Sequence, residues 1–381
     1  MNIVLVVTGL PDSKTPARSV YNLNYAEELS KRGYKVDIIY LRSILPGRSV
    51  VRERKINDIT VLELSFIFPF KYIKLQYFFS SIVLSLSLTS SKLREMIRKG
   101  DILHFINGSS AIYAKSLTFR RKKPYIIQYV GSDVNLNLKK HSCLKNYIKS
   151  VDKAKWITFN SKQLEIDFQK LIKVTTNSHV VYRGVKLDNF RYQFNPVNEE
   201  IELLFLGGFP NNSNLKGGFT LLEALKGLDP KLVDSDNKLN VLIGGPNSLQ
   251  FKTYFGYKNI NINYIGAIPK EQVREHMEKS HVVVIPSLNE GLPNVLYESM
   301  ATGNLVICSR VGGMPEFIEH NKTGMLFAAN SPDQLEHLLE GIVRNNSLIN
   351  DYAKRARSKI EHFDYSEFIR KYLNIYKEAL K

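Results

Sequence analysis

Short apolar runs rich in β-branched residues alternate along this chain with longer amphipathic segments, and this alternation restricts its fold more than any other feature. Buried parallel strands have near-continuous runs of Val, Ile and Leu, and crossover helices have apolar residues spaced along one face. The alternation predicts an α/β fold with a mostly parallel sheet and helices on both of its faces. In the first half the predicted strands are 3–7, 36–40, 102–105, 125–129, 156–159 and 179–181, and the predicted helices are 19–31, 77–99, 109–119 and 161–172.

The second half repeats this architecture without repeating the sequence. Its predicted strands are 202–206, 240–243, 262–265, 281–285 and 305–309, and helices are predicted at 219–226, 331–344 and 347–380. A chain of 381 residues is too long for one compact core and fits two domains of about 190 residues. A polar, Pro-containing stretch around residues 190–200 has the composition of a linker. We therefore predict a first domain over residues 1–190, a second over 191–362 and a final helical segment over 363–381.

A pair of glutamates, Glu290 and Glu298, lies across the point where the strand 281–285 gives way to a helix. Pro293 is placed near the first turn of that helix and Gly303 where it should end. An open α/β sheet binds ligands at this kind of junction, and a helix N-terminus attracts anions. The backbone N–H groups expected to face such an anion belong to Gly291, Leu292, Asn294 and Val295. Spacing alone leaves open the alternative that both glutamates are ordinary surface charges.

The residues after this pair favour a ligand-binding role of the two glutamates over ordinary surface charges. Residues 305–310 form the next predicted strand, and Val-Gly-Gly-Met-Pro-Glu at 311–316 is a glycine turn that opens another helix. With Asn-Lys-Thr-Gly-Met-Leu-Phe at 321–327, the segment resembles the family-4 retaining glycosyltransferases. Their signature is two glutamates separated by seven residues, an Ala-x-Gly step, a strand and a Gly-Gly-x-Pro-Glu turn. The resemblance implies the GT-B fold, in which two Rossmann-like doubly wound domains face each other across a cleft and the last helix crosses back to the N-terminal domain.

The resemblance also assigns roles in the second domain. Glu290 is expected to contact the donor sugar, Glu298 the ribose and Lys216 the donor diphosphate. Gly208 stands where the family usually has a second diphosphate ligand, an arginine. Gly266 and Ile268 match the segment that presents backbone groups to the base, although ordinary strand-ending turns explain them almost as well.

In the first domain, Gly9 ends the first predicted strand before a polar loop, at a turn expected to face the donor phosphates or the acceptor. Asp133 follows a Tyr-Val-Gly-Ser segment that resembles the family's His-Gly-x-Asp motif, with Val130 in the place of the histidine. Asp133 is expected to orient a sugar hydroxyl and is counted with Glu290 and Lys216 as a catalytic candidate. The alternative is that Asp133 caps the following turn.

The distribution of charge along the chain indicates what kind of surface the protein is expected to bind. Residues 1–190 hold 32 Lys and Arg against 14 Asp and Glu, a net charge of +18, whereas the remainder has a net charge of −1. The basic half, with the aromatic segment 66–79 and the basic cluster 120–123, favours contact with an anionic membrane surface. The longest uncharged stretch, 75–91, is too short and too polar for a membrane-spanning helix. We expect a cytoplasmic protein, peripheral on the inner face of the cell membrane.

No cofactor is expected, because the resemblance implies a metal-independent site with a nucleotide sugar as co-substrate. The predicted function is transfer of a hexose or N-acetylhexosamine from a nucleotide-diphosphate sugar, expected to be a UDP-sugar, to a glycan acceptor. That acceptor is expected to be a lipid-linked intermediate of bacterial surface polysaccharide synthesis. The alternatives are a sugar-nucleotide epimerase or a glycogen-type synthase. Nucleic-acid binding is disfavoured because the second half is nearly neutral and no binding motif is recognisable.

Overall fold

The computed structural model describes residues 1–11, 19–44, 51–67, 90–118, 123–138, 145–192, 196–209, 215–252 and 256–381. Their contacts divide the chain into two compact units. Unit 1 contains Met1–Tyr182 and Phe368–Lys381, and unit 2 contains Arg183–Glu367. The predicted boundaries, at 190 and 363, lie eight residues after the first crossing and five residues before the second.

Unit 1 is an α/β structure, as the alternation of apolar runs predicts. Its strands are β1 (Asn2–Val7), β2 (Lys35–Ile44), β3 (Val51–Ile56), β4 (Ile59–Ile67), β5 (Ile102–Ile106), β6 (Tyr125–Tyr129), β7 (Trp156–Phe159) and β8 (Ser178–Val180). Its helices are α1 (Val20–Lys31), α2 (Ser91–Lys99), α3 (Ala114–Thr118), α4 (Lys145–Asp152) and α5 (Lys162–Leu171), with a 3-10 turn over Gly108–Tyr113 and a π-helical segment over Asp133–Leu138.

These strands form one eight-stranded sheet in the order β3-β4-β2-β1-β5-β6-β7-β8. All neighbouring strands are parallel except β3 and β4. Strand β1, whose residues Ile3–Val7 are almost fully buried, lies between β2 and β5. The carboxyl ends of the central strands therefore lie along one edge, where Gly9 and the residues after β5 and β6 are found.

The sequence-based prediction missed the hairpin of β3 and β4. Strand β3, Val-Arg-Glu-Arg-Lys-Ile, has charged side chains that hide its strand pattern, and it forms the edge of the sheet, where charged residues are common. The turn between the strands contains Asn57, whose φ of 52° is in the left-handed region that Asn tolerates. The predicted helix 77–99 is found only as α2, because residues 77–89 lie outside the described part of the chain.

Unit 2 contains a second parallel sheet. Its strands are β9 (Glu200–Leu206), β10 (Lys238–Gly244), β11 (Ile260–Gly266), β12 (Val282–Ile285), β13 (Leu305–Ser309) and β14 (Met325–Phe327). Its helices are α6 (Gly218–Leu228), α7 (Lys270–Lys279), α8 (Asn294–Thr302), α9 (Met314–Phe317), α10 (Pro332–Arg344) and α11 (Ser347–Ile360), and α12 (Tyr365–Ala379) begins at its end.

The sheet of unit 2 has the order β11-β10-β9-β12-β13-β14, with parallel pairing throughout its described strands. The order reverses direction at β9 and β12, because the chain leaves β9 toward β10 and returns on the other side at β12. Loops after these two strands lead to α6 and α8. This is the topological switch point at which open α/β sheets bind ligands.

The predicted helix 347–380 is wrong as one continuous element. The chain breaks between α11 and α12, where the N–H of Val185 donates to the carbonyl of Phe363 at 3.0 Å and the N–H of Tyr365 donates to the carbonyl of Val185 at 2.9 Å. These bonds use backbone groups that a continuous helix would have paired internally. The segment that enters unit 2 and the segment that leaves it therefore run side by side.

Helix α12 packs on unit 1 through a stripe of apolar and aromatic residues. Phe368, Ile369, Tyr372, Ile375, Tyr376 and Ala379 are buried. Their spacing of three or four residues places them on one face of the helix. Tyr25, Tyr372 and Phe368 make edge-on ring contacts with one another, at centroid distances of 4.9–5.6 Å.

Candidate active site

The switch point of unit 2 is built from the loop between β12 and α8. Strand β12 is fully buried, and the chain leaves it through Pro286 and reaches α8 at Asn294. Pro293 precedes the helix with φ −76° and ψ 142°, and Gly303 ends it with φ 97°. Both ends are therefore where the sequence predicts them, because Pro favours a helix start and Gly tolerates the left-handed C-terminal position.

The start of α8 is an anion-attracting position. Its N-cap residue, Pro293, makes no side-chain capping bond, and Asn294 is exposed while Leu292 is only 7% exposed. The first four N–H groups of a helix have no partner inside the helix, and the helix dipole adds about half a positive charge there. Gly291, Leu292, Asn294 and Val295 are thus placed where backbone N–H groups can serve a phosphate.

Lys216 and Glu290 form an ion pair beside this helix start. Lys216 lies in the loop between β9 and α6, and its Nζ donates to Oε1 of Glu290. The Oγ of Ser287 lies 3.4 Å from the same oxygen. The Lys216 side chain is 45% exposed and that of Glu290 is 15% exposed, so the ammonium faces solvent while the carboxylate is mostly enclosed. The structure thus brings the predicted diphosphate ligand and the predicted sugar ligand into direct contact.

Backbone contacts fix the loop of Lys216 against the loop of Glu290. The N–H of Leu288 donates to the carbonyl of Leu215 at 2.8 Å. Gly217, with φ 70°, packs so closely that a Cβ atom there would lie 1.8 Å from the carbonyl oxygen of Pro286. No side chain fits into that space, and an L-residue would be strained at that φ. The glycine beside Lys216 is therefore needed for the approach of the two loops.

The glycine turn after β13 supports the same loop from the other side. A Cβ atom on Gly312, whose φ is 53°, would lie 2.2 Å from the carbonyl oxygen of Glu290. The N–H of Gly313 donates to the carbonyl of Gly291 at 2.6 Å. The Gly-Gly pair of the sequence motif thus has a structural purpose, which is to hold the backbone of residues 290–291.

Glu298 lies in the second turn of α8 and is partly buried. Its carbonyl accepts a hydrogen bond from the Oγ1 of Thr302 at 2.9 Å, and the ring of the preceding Tyr297 packs edge-on against Phe317 at 4.9 Å. These contacts anchor the helix on the unit 2 core. The position of Glu298 is consistent with a role at the same edge of the sheet, and the ribose contact stays a prediction.

Three strand ends beside this loop carry the remaining predicted donor ligands. The N–H of Gly245 donates to the carbonyl of Gly266 at 2.6 Å, and the N–H of Gly266 donates to Oγ of Ser248 at 3.0 Å. Ile268 covers Gly244, since a Cβ there would lie 2.4 Å from its Cδ1. Sequence reasoning missed Leu249, a 53% exposed side chain that lies against Gly266; an apolar residue after a glycine turn was its only signal.

An arginine, which the family usually has at this position, would not fit in place of Gly208 without a change in the backbone. Its φ is 64°, and a Cβ atom would lie 2.5 Å from the carbonyl oxygen of Pro246. The loop of this chain therefore has its own backbone path at this position. At this position only backbone groups are available to a ligand, and the predicted donor contact of Gly208 stays a prediction.

Asp133 in unit 1 has a different environment from the one its catalytic assignment implies. It is 1% exposed, and its carboxylate accepts backbone N–H groups of Gly108 at 2.7 Å, Gly131 at 2.8 Å, and Val130 and Val134 at 3.1 Å. Burial raises the pKa of this carboxyl group, and the four N–H donors oppose that shift. The geometry favours the alternative role, in which Asp133 ties together the turns after β5 and β6.

Gly9 also takes part in local packing. Its carbonyl accepts a hydrogen bond from Nδ2 of Asn22 at 2.8 Å, and a Cβ atom on Gly9 would lie 2.3 Å from Oγ of Ser19. The end of β1 is thereby held against the first turn of α1. Residues 12–18 of the polar loop lie outside the described residues, so the predicted contact of Gly9 with phosphate or acceptor remains a prediction.

His104 is fully buried under α12 and does not reach an active site edge. Its Nδ1 lies 2.7 Å from the Tyr376 hydroxyl, and its ring stacks on Tyr372 at a centroid distance of 5.0 Å. Burial lowers the pKa of His104 to about 3. The histidine is therefore neutral at physiological pH and has a structural role.

Among the described residues no group of three or more His, Cys, Asp or Glu side chains could hold a metal ion. Cys308 is buried in β13, and burial raises the pKa of its thiol; Cys143 lies outside the described ranges. Within those ranges, no helix is both long enough and apolar enough to cross a membrane.

Known proteins share this chain's sequence pattern and fold. Residues 19–189 match the model of Glycosyltransferase Family 4, and residues 188–359 match that of Glycosyl transferases group 1. A Bacillus subtilis protein named as a teichuronic acid biosynthesis glycosyltransferase, TuaC, is 24% identical over 369 residues, which cover 90% of this chain and 89% of that protein.

Solved structures give the same fold. Sucrose-phosphate synthase from Thermosynechococcus elongatus has a TM-score of 0.73 at 16% identity, over 99% of this chain and 98% of that one. Anabaena HepE in complex with UDP and glucose has a TM-score of 0.71 at 14% identity, over 98% of both chains. The two family models together run from residue 19 to residue 359, and the predicted fold class is confirmed. The chain belongs to the family-4 glycosyltransferases of the GT-B fold and is a transferase.

Proposed function

We propose that this glycosyltransferase moves a hexose or an N-acetylhexosamine, with retention of configuration, from a UDP-sugar to a lipid-linked glycan. The observation that carries the proposal is the contact of Lys216 with Glu290 beside the start of α8, at the switch point of the unit 2 sheet. A diphosphate is bound by a cation and backbone N–H groups, and sugar hydroxyls are bound by a carboxylate. Anabaena HepE, which has the same fold, holds UDP and glucose, and this supports the same ligand class here.

Each residue of the site has a separate role in the reaction. The bond between the sugar C1 and the leaving phosphate oxygen breaks, and the acceptor oxygen bonds to C1 on the same face. The acceptor proton passes to the leaving phosphate, so no side-chain base is needed. Lys216 and the N–H groups at the start of α8 stabilise the charge that develops on the phosphate. Glu290 orients the sugar and stabilises its positive charge, and Glu298 holds the ribose.

A nucleotide-sugar panel tests the donor. Binding to the folded state raises the melting temperature, so UDP-, GDP- and ADP-sugars can be ranked by the stabilisation they give. The best donor, incubated with lipid-linked acceptors, should release its nucleoside diphosphate, and Glu290→Ala and Lys216→Ala should abolish that release. Unchanged release in both variants would overturn the site assignment. Conversion of the nucleotide sugar without any acceptor would indicate an epimerase instead.

The acceptor part of the proposal rests on charge and on the relative TuaC. Its name places TuaC in teichuronic acid biosynthesis. The net charge of +18 over residues 1–190 would bring unit 1 to an anionic membrane, where such acceptors are anchored. Co-sedimentation with vesicles tests this: binding should require anionic lipid and should weaken as salt is raised. Equal binding to neutral vesicles would contradict it.

A further inference from the structure

The Lys216–Glu290 ion pair affects how tightly the site binds a diphosphate. Glu290 is mostly enclosed, and Lys216 is the cation that neutralises it. An enclosed carboxylate that loses its counter-ion is destabilised. A diphosphate that draws Lys216 away therefore removes this counter-ion from the Glu290 carboxylate.

We propose that Glu290 acts as the counter-ion that a bound diphosphate must displace from Lys216, so that the site discriminates against a nucleoside diphosphate without its sugar. This inference rests on the proposed function. When the whole donor binds, Lys216 moves to the phosphate and the sugar hydroxyls replace it at Glu290. When only the product remains, Glu290 has lost the cation and has no sugar in exchange. Product binding is thereby weakened relative to donor binding.

The local structure allows Lys216, but not the backbone of Glu290, to move when the two partners separate. The lysine side chain is 45% exposed and flexible, and it can move between two acceptors. The backbone of Glu290 is fixed by the close approach of Gly312, and the loop before it by Gly217 at Pro286. The backbone that carries the carboxylate is therefore held in place while the ammonium can move. Specificity of this kind is a difference between two affinities, gained here by a penalty on the wrong ligand.

The test measures binding of nucleoside diphosphates by calorimetry, using whichever of UDP, GDP and ADP stabilises the wild type most. Glu290→Gln should bind that diphosphate about tenfold more tightly, which corresponds to about 1.4 kcal/mol. The same variant should not gain comparable affinity for the matching nucleotide sugar, because its contacts with the sugar hydroxyls are weakened. The ratio of the two affinities should therefore shift toward the diphosphate.

A double variant separates the ion pair from a general effect of negative charge. In a Lys216→Met background, Glu290→Gln should give no further gain, because the displaced cation is already absent. Glu290→Asp provides a second route: it keeps the charge but withdraws it by one methylene, so it should also tighten diphosphate binding. Glu340→Gln is the matched control, since Glu340 is paired with Lys231 at 3.2 Å and Arg344 at 3.0 Å and is 19% exposed, but lies on α10.

The outcomes are distinct. A wild type that binds a diphosphate, with no gain in Glu290→Gln and Glu290→Asp, would overturn this inference and leave the proposed function intact. A gain that persists in the Lys216→Met background would also overturn it, because the effect would then be simple repulsion. Absence of binding of every nucleotide and nucleotide sugar to the wild type would overturn the proposed function and this inference together.

Discussion

The hydroxyl of Tyr376 lies 2.7 Å from Nδ1 of His104, across a sequence separation of 272 residues. The same hydroxyl lies 2.7 Å from that of Tyr25, and the Tyr372 hydroxyl lies 2.8 Å from Oγ1 of Thr158. Two tyrosines of α12 thus make polar contacts inside an otherwise apolar interface. Buried polar contacts of this kind fix one register, since a shifted helix would leave them unsatisfied.

Removal of one hydroxyl should loosen this helix. Tyr376→Phe removes the hydrogen bonds that this hydroxyl makes with His104 and Tyr25, and we expect unit 1 to lose about 1–3 kcal/mol of unfolding free energy. The only tryptophan, Trp156, lies in β7, so its fluorescence reports unfolding of unit 1 during urea titration. Tyr192→Phe, at a side chain that is 39% exposed, is the control and should have little effect. Equal stability of the two variants would contradict the role of the hydroxyl.

Acid should destabilise unit 1 through His104. Burial lowers the folded-state pKa of His104 to about 3, against the ordinary histidine pKa of 6.5. Below pH 6.5 the unfolded chain therefore takes up a proton that the folded chain refuses, and stability falls as pH falls until about pH 3. Between pH 7.5 and pH 5 this linkage contributes about 2 kcal/mol. His104→Gln should lose that part of the pH dependence, measured by urea titration at both pH values; parallel curves for wild type and variant would refute it.

The turn after β13 offers a test of loop positioning. Gly312→Ala places a Cβ atom 2.2 Å from the carbonyl oxygen of Glu290 in a backbone conformation with φ 53°, so the loop must shift. We expect a loss of transferase activity of at least about tenfold in kcat/KM, since displacements of this size disturb catalytic geometry. Gly341→Ala is the control. A Cβ there meets no described atom within 4 Å, and the change should stabilise α10 by about 0.5–1 kcal/mol.

The sequence contained enough information to locate α8 and its strands, because Pro293, Gly303 and the apolar run of β12 act locally. It did not reveal the Lys216–Glu290 contact, whose partners are 74 residues apart. The topology that brings β9 beside β12 is a property of the whole sheet. Motif resemblance named both residues, and only the structure pairs them.

The break between α11 and α12 shows another limit of local pattern. Residues 347–380 have helical spacing of apolar side chains nearly throughout, and no proline marks the break. The backbone is diverted by pairing with Val185, which lies far away in sequence. A similar limit applies to Asp133. Its motif was visible, but its four backbone donors depend on how the turns after β5 and β6 meet.

A substitution at Asp133 distinguishes a structural role of this residue from a catalytic one. Asp133→Asn replaces one acceptor oxygen by an NH2 group that faces backbone N–H donors, and we expect a loss of about 3 kcal/mol in unfolding free energy. Urea titration followed by Trp156 fluorescence measures it. Asp58→Asn, at an exposed turn of the same unit, should be neutral. Lost activity in Asp133→Asn with unchanged stability would instead support the catalytic assignment.

Arg357 holds the far end of the helix that carries Glu298. Its Nη1 donates to the carbonyl of Ala301, in the last turn of α8, at 2.6 Å and to the carbonyl of Phe190 at 3.1 Å. Its side chain is 17% exposed, so both bonds are shielded from water. A cation at a helix C-terminus also complements the helix dipole. Arg357 is thus a positioning residue that ties α8 to the segment entering unit 2.

Arg357→Met keeps much of the apolar volume and removes both bonds, together with the ion pair of Arg357 with Glu361. We expect unfolding free energy to fall by about 1–3 kcal/mol. The KM for the donor should rise several-fold, because in the proposed function α8 carries the ribose ligand Glu298 and its N-terminus binds the diphosphate. Arg357→Lys retains one charge-assisted bond and should recover part of the loss. Arg344→Met is the control, since Arg344 is 62% exposed and pairs with Glu340 on α10. Steady-state kinetics with the identified donor would contradict the positioning role if Arg357→Met lost stability while its donor KM stayed at the wild-type value.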